Sequence, residues 1–209
     1  VAAYVKSGSA LDGEAASRGN SVYFTDRVVP MLPEALSNGW CSLKPDEDRA
    51  CLAVHIRIDA AGNVLNHRFE RGVMRSDARL TYAQVQEWRD GEMQLPGAIA
   101  AAVHNLYGAF GALRMAADKR QTLNLDMPEQ KIELDADGEV TSIGTAPKYD
   151  SHQLIETFMI AANVAAAEAL EKARQPFMYR VHDEPPAGKL DAFRDFIASL
   201  GLKLAMGQV

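Results

Sequence analysis

The sequence is short of several things, and each shortage removes a class of protein. Only 2 cysteines occur in 209 residues. Cys41 and Cys51 lack C-x-x-C spacing and paired histidines, so neither a zinc site nor a secreted disulfide framework is indicated, and two buried free thiols are expected. Positive charge is also scarce: 22 Lys and Arg against 28 Asp and Glu leave a net charge of −6. Phosphate neutralisation by Lys and Arg supplies most non-specific affinity for nucleic acid, so this balance counts against strong binding through charge alone. Long apolar runs are missing too. The stretch 158–167 stops well before the roughly 20 residues of a membrane span, and no charged-then-apolar signal segment opens the chain. A soluble, cytoplasmic protein is the expectation. Neither a GxxxxGK[ST] nor a GxGxxG loop is present to indicate a nucleotide-binding sheet.

What is present is ordinary globular material, 47% hydrophobic with 7% aromatics, in a chain long enough for one large domain or two small ones. Residues 52–58 alternate Leu52, Val54, Ile56 and Ile58 against Ala53, His55 and Arg57, the period of a half-buried strand. Asp59 to Asn63 supplies turn chemistry, and 64–71 returns as the partner. A second hairpin is written the same way, with strands at 131–134 and 139–143 around a turn from Asp135 to Gly138. Helices are expected at 81–90, begun by Thr81; at 98–119, after Pro96; at 151–174, capped by Asp150 or Ser151; and at 187–200, closed by Gly201. The third of these is apolar or small nearly all round from Met159 to Ala167, which predicts burial against the sheet. Val1 to Val5 reads as a strand with no cap or turn ahead of it, and so as a cut end. The fold class is α+β: a mixed, largely antiparallel sheet with packed long helices. One domain, incomplete at both ends, is expected over 1–209.

Two charge features call for a reading. Arg68, Arg71, Arg75 and Arg79 fall within twelve residues and would line a groove that follows a phosphate backbone if they shared a face; a solvated face is the commoner outcome. Asp46-Glu-Asp48 and Asp135-Ala-Asp137 are the dense acidic spots. Both sit beside turn-forming residues with no histidine or third carboxylate at ligand spacing, which favours solvated turns over metal sites.

Four segments together resemble the RNB catalytic domain of the ribonuclease II/ribonuclease R family. They are Tyr4-Val-Lys-Ser-Gly-Ser-Ala-Leu-Asp12; Ser21-Val-Tyr-Phe-Thr-Asp-Arg-Val-Val-Pro-Met-Leu-Pro33 with Leu36-Ser-Asn-Gly-Trp-Cys-Ser-Leu43; Arg75-Ser-Asp-Ala-Arg-Leu-Thr-Tyr82; and Leu154-Ile-Glu-Thr-Phe-Met-Ile-Ala-Ala-Asn163 with Tyr179-Arg-Val-His-Asp183. They occur in family order across nearly the whole chain. The resemblance implies metal-dependent, processive hydrolysis of single-stranded RNA from its 3′ end to nucleoside monophosphates. It implies Mg²⁺ held by a D-x-x-x-x-x-D-x-D-D motif, which this sequence does not contain. The family's downstream arginine segment and its flanking RNA-gathering domains are missing as well. The chain is therefore expected to form RNA channel and core, with no catalytic or metal-ligating residue of its own, no metal bound, and no nuclease activity alone.

The resemblance also implies roles for individual residues. Tyr23 matches a tyrosine that stacks on RNA near its 3′ end, where an aromatic face accepts any base; a core tyrosine in a strand is the competing reading. Glu156 matches a glutamate beside the terminal ribose, where a carboxylate accepts hydrogen bonds from hydroxyls, including the 2′-OH; an exposed helical position is the competitor. Ser37 and Asn38 would touch RNA backbone from the channel wall, or simply belong to a rigid connection after Pro30-Met-Leu-Pro33. Arg180 and His182 are candidates to contact phosphate or to support the groups that do, with a core role the alternative for His182. A second clamp aromatic belongs near Leu123 to Leu125, where this sequence has no Phe or Tyr. His55, His67, His104 and His152 show no metal-ligand spacing and are assigned nothing. Two other functions stay open: a non-catalytic RNA-binding relative, and an acidic protein-interaction domain.

Overall fold

The computed structural model describes residues 1–120 and 128–204, and its chain divides into two compact units, 1–169 and 170–209. In the first unit, α1 (Ala10–Arg18) is capped by the Ser9 side chain, which accepts from the Asp12 amide, and ends at Gly19. A short antiparallel pair follows, β1 (Val22–Tyr23) with β2 (Val28–Val29), in the register Val22 to Val29 and Tyr23 to Val28. The turn between them closes through the Phe24 amide donating to the Arg27 carbonyl at 2.8 Å.

Residues Ala35–Trp40 then form a π-helical turn. Its signature is the Cys41 amide donating to the Leu36 carbonyl, five residues back, at 2.9 Å.

The expected long hairpin is found, and is longer than its period-2 stretch alone: β3 (Asp48–Ile58) pairs antiparallel with β4 (Val64–Arg75). The Asp59 carboxylate accepts from the amides of Ala61 and Asn63, so the turn is built by the residue types that announced it. The alternation does not hold along the whole length. Near the turn Val54, Ile56 and Phe69 are partly covered, whereas farther along Leu52 is 67% and Val73 71% exposed. Two-stranded ribbons twist more than wider sheets, which turns a face that is covered near the turn toward solvent farther along.

Helix α2 (Tyr82–Asp90) opens with a full capping box: Thr81 accepts from the Gln84 amide while the Gln84 side chain accepts from the Thr81 amide. Its C-terminal residue is followed by Gly91 in the left-handed conformation. Helix α3 (Gly97–Lys119) buries a stripe of Val103, Phe110, Leu113 and Ala116. The second predicted hairpin is β5 (Gln130–Leu134) with β6 (Val140–Thr145), its turn held by Asp135 accepting from the amides of Asp137 and Glu139. Helix α4 (Asp150–Lys172) buries Ser151, Leu154 and Ala165. In the second unit, irregular chain leads to α5 (Ala187–Ser199).

Cross-links tie the first unit together. The Ser151 hydroxyl donates to the Tyr82 carbonyl at 2.9 Å, Arg89 of α2 pairs with Asp150, and the Arg89 guanidinium lies 4.5 Å from the Tyr107 ring centre of α3. Leu80, Val85, Val103, Leu106, Leu154 and Ile155 surround a small apolar cavity of about 230 Å³ among these three helices.

The α+β class, the antiparallel pairing and the long helices are as predicted, but among the described residues the strands form three separate ribbons instead of one sheet. Four expectations fail. Val1 to Val5 is a turn, with the Tyr4 and Val5 amides both donating to the Val1 carbonyl, so it contributes no strand. Asp150 and Ser151 lie inside α4 and do not cap it, because the Ser151 hydroxyl is engaged by Tyr82. The apolar centre of α4 is covered on one side alone: Met159 is 60%, Ile160 53% and Val164 49% exposed. Both cysteines are free as expected but half-buried. At 23 residues, with a mean hydropathy of 1.2 over an 18-residue window, α4 is long and apolar enough to cross a membrane by length and composition.

Candidate nucleic-acid interface

The six residues singled out from the sequence all lie on the surface. Tyr23 projects from β1 and is 78% exposed; its side chain makes no ring contact, hydrogen bond or ion pair with a described residue. The core-tyrosine reading is thereby excluded, since a two-residue strand with no sheet behind it offers nothing to bury the ring. Next to it, Arg27 lies 5.0 Å from the ring centre of Phe24, which is 51% exposed.

Ser37 and Asn38 occupy the π-helical turn, both exposed, between the buried Leu36 and the partly covered Gly39. The turn is set after Pro33, whose carbonyl accepts from the Leu36 and Ser37 amides at 2.8 and 3.0 Å. Trp40 at its end is 63% exposed and tilts against Tyr4, with ring centres 5.5 Å apart. Arg18 donates to the Pro30 carbonyl, and the Met31 amide to the Ser21 hydroxyl, so the connection from the β1–β2 ribbon to this turn is fixed at two points.

Glu156 lies on the exposed side of α4, with Met159 and Ile160 close by along the helix. Its carboxylate forms no ion pair or hydrogen bond with a described residue. In the second unit Arg180 and His182 are both exposed, which removes the core reading of His182. Their neighbour Tyr179 donates its hydroxyl to the Glu171 carboxylate, and that acceptor, helped by desolvation, pushes the phenol up to about 12. The structure joins none of the six side chains to another by a hydrogen bond, ion pair or ring contact. The clamp position at Leu123 to Leu125 lies outside the described residues.

The arginine run does not share a face. Arg71 and Arg75 lie on one side of β4, Arg68 lies on the other where it pairs with Glu70 at 2.8 Å, and Arg79 follows the strand. Arg75 donates to the Asp46 carbonyl at 2.6 Å. The acidic spots are occupied with local structure: Glu47 pairs with Arg49, which holds its carboxyl below the usual range, and Asp135 braces the β5–β6 turn. Among the described residues no three His, Cys, Asp or Glu side chains converge to hold a metal ion, so the side chains described do not fit a divalent-ion site.

One arrangement escaped sequence reasoning. His152, in the first turn of α4, is sandwiched between two tyrosines: Tyr82 stacks on it with ring centres 4.0 Å apart and planes 26° apart, and Tyr149 lies near parallel at 5.5 Å and 10°. The Tyr149 amide donates to His152 Nδ1 at 3.1 Å. The same histidine borders a cleft of about 580 Å³ between the base of the β5–β6 ribbon and the start of α4, walled by Pro128, Glu129, Thr145, Pro147 and Lys148. The sequence signal was slight: a histidine three residues after one tyrosine and four before Glu156.

Comparison with known proteins gives these features their context. Residues 1–208 match the RNB domain. Ribonuclease R of Vibrio parahaemolyticus is 40% identical over 210 residues, an overlap of 99% of this chain and 25% of that protein. RNase R of Mycoplasma genitalium in its apo form superposes with a TM-score of 0.94 at 27% identity, covering 99% of this chain and 33% of that one. The same protein in complex with ribose methylated single-stranded RNA superposes with a TM-score of 0.93 over 100% of this chain. The chain thus spans about a quarter of the length of the curated relative. The resemblance read from four ordered segments is borne out, and the chain belongs to the RNB domain family.

Proposed function

We propose that this chain is the RNA-channel and core portion, over residues 1–209, of a 3′-to-5′ exoribonuclease that degrades single-stranded RNA to nucleoside monophosphates in the cytoplasm. The observation that carries the reading is the likeness over the full chain, at a TM-score of 0.93, to a RNase R in complex with single-stranded RNA. The surface chemistry supports it. A tyrosine 78% exposed and free of ring contacts is a platform on which any base can stack without sequence being read. The unpaired Glu156 carboxylate accepts hydrogen bonds and suits ribose hydroxyls, including the 2′-OH that separates RNA from DNA. Ser37 and Asn38 offer donors toward backbone oxygens, and Arg180 and His182 offer donors toward phosphate.

The hydrolytic metal, Mg²⁺ by the chemistry of hard oxygen ligands, is assigned to carboxylates outside these 209 residues. The chain's own contribution is to bind and orient RNA, and alone it has no nuclease activity. The test is direct: incubate the 209-residue protein with 5′-labelled oligoadenylate and Mg²⁺. Binding without shortening is expected, and EDTA-sensitive degradation would overturn the assignment of the metal ligands.

A second reading, an acidic protein-interaction domain, draws on the net charge of −6. It requires that oligo-RNA fail to bind even at low salt, where phosphate attraction is strongest.

A further inference from the structure

We propose that the cleft beside His152 is a nucleotide-binding subsite, in which His152 Nε2 donates a hydrogen bond to one nucleotide of the bound RNA. The proposal rests on the RNA-binding reading above and adds a site and a residue to it.

The geometry narrows what His152 can do. Both faces of its ring are covered, by Tyr82 at 4.0 Å and Tyr149 at 5.5 Å, so a base does not stack on it. Its Nδ1 is also engaged, as acceptor of the Tyr149 amide at 3.1 Å. A neutral imidazole that accepts at Nδ1 carries its proton on Nε2, so the ring edge offers a single N–H donor held in a fixed orientation. No described residue takes that donor. The ring is thus held by two stacked tyrosines and a backbone hydrogen bond at the start of α4, and a fixed donor beside a cleft is the arrangement that orients a ligand acceptor.

The cleft suits a nucleotide in size and in chemistry. Its volume of about 580 Å³ falls in the range of roughly 300–1,000 Å³ typical of small-molecule sites. Pro128 and Pro147 give it apolar walls against which a base or ribose face can lie, and Glu129 and Thr145 are acceptors for hydroxyl or amino protons. Lys148 is the cation on its lining and the group suited to phosphate. Glu156 stands one helical turn beyond His152 on the same side of α4, which aligns the cleft with the carboxylate already assigned to a ribose. A ligand entering here would meet a donor from His152 and an acceptor from Glu156 in succession.

The test uses the 209-residue protein, isotope-labelled, and three probes: AMP, adenosine and inorganic phosphate. Its ring signals are assigned by comparison with His152→Gln. AMP is expected to shift the His152 ring signals and the amides of Thr145 and Lys148 while leaving the Tyr23 amide in place. His152→Gln is expected to weaken AMP roughly fivefold to tenfold, the loss of one hydrogen bond. Lys148→Gln, which leaves the aromatic stack alone, is expected to weaken AMP while adenosine binds as before. Oligoadenylate binding by fluorescence anisotropy separates the two levels of argument. If the oligomer binds with Tyr23 dependence but AMP leaves the His152 ring unmoved, the subsite is wrong and the RNA-binding reading stands. If inorganic phosphate alone moves the cleft as far as AMP does, the site holds an anion and not a nucleotide, which also overturns the proposal. If oligoadenylate does not bind at all, both fall.

Discussion

Gly62, at the tip of the β3–β4 turn, packs so closely on Ala112 of α3 that a Cβ there would lie 2.0 Å from the Ala112 carbonyl oxygen and 3.0 Å from the Ala116 methyl. The residue is buried, and its φ of +81° belongs to the left-handed region that glycine adopts without a Cβ penalty. This contact seats the ribbon on the helix, and a few residues along β4 from the same turn the His67 ring approaches the Glu168 carboxylate of α4 to 3.6 Å.

Gly62→Ala is therefore expected to cost stability on two counts. The left-handed conformation and the overpacking against backbone that cannot rotate aside together amount to roughly 2–4 kcal/mol. Urea unfolding followed by circular dichroism measures it. A change below experimental error would mean that the ribbon does not seat on α3 at this point.

The capping box of α2 gives a smaller effect of known origin. Thr81→Ala leaves the Gln84 amide without its acceptor and is expected to cost about 1 kcal/mol, with Thr81→Ser restoring most of it. Thermal melts of the two variants side by side check the prediction, because a purely steric role for the threonine methyl would make serine as harmful as alanine.

The β3–β4 turn and the start of α2 at Thr81 were legible in the sequence because each is local, whereas the seat of Gly62 on Ala112 was not. Asp59 to Asn63 carries its own turn chemistry, and Thr81 with Gln84 carries both halves of its cap, so a few residues settle the geometry without reference to the rest of the chain. What was illegible depends on distant partners. Ser151 looked like a helix cap and became an interior residue because Tyr82, far away in sequence, takes its hydroxyl. His152 looked idle because one of its stacking partners is also Tyr82. Composition said that the centre of α4 was apolar all round, but composition cannot say how many neighbours arrive to cover it, and neighbours arrive on one side. The exposure of Tyr23 is of this second kind: the family resemblance singled out the residue, and the missing sheet behind a two-residue strand is what leaves its ring in solvent.

That exposure makes Tyr23→Ala a clean variant. A ring without described contacts can be removed with a change in stability within about 0.5 kcal/mol. Loss of one base stack is expected to weaken oligoadenylate by roughly 5- to 150-fold, from about 1–3 kcal/mol per base. Tyr23→Phe should keep most of the affinity, since the π-face is what binds. Anisotropy titrations at one fixed salt concentration decide it, and equal affinities for the alanine and native proteins would remove Tyr23 from the interface.

The uncovered side of α4 has a physical consequence for the chain as it stands. Met159, Ile160 and Val164 form a contiguous apolar strip on one helix face, and such strips drive association in water. The double variant Met159→Gln/Ile160→Lys is expected to lower dye binding by anilinonaphthalene sulfonate and to reduce self-association in sedimentation velocity, without loss of helix content. Unchanged dye binding would mean that the strip is covered in solution.

Tyr179 offers a prediction in pH. Its hydroxyl donates to the Glu171 carboxylate, which favours the neutral phenol and raises its titration from 10.0 to about 12. The sign follows from linkage. The folded-state value lies above the unfolded one, so the stabilisation is fully present below about pH 10 and is lost as pH rises through the interval to about 12. Removing the carboxylate in Glu171→Gln leaves an amide oxygen that accepts the hydrogen bond without repelling the phenolate. One of the 6 tyrosines should then titrate earlier, moving back toward 10.0 in phenolate absorbance, and the alkaline unfolding of this segment should lose that part of its pH dependence. Because Arg180 and His182 follow Tyr179 directly, a titration that does not move would show that this hydroxyl does not anchor the segment that carries them.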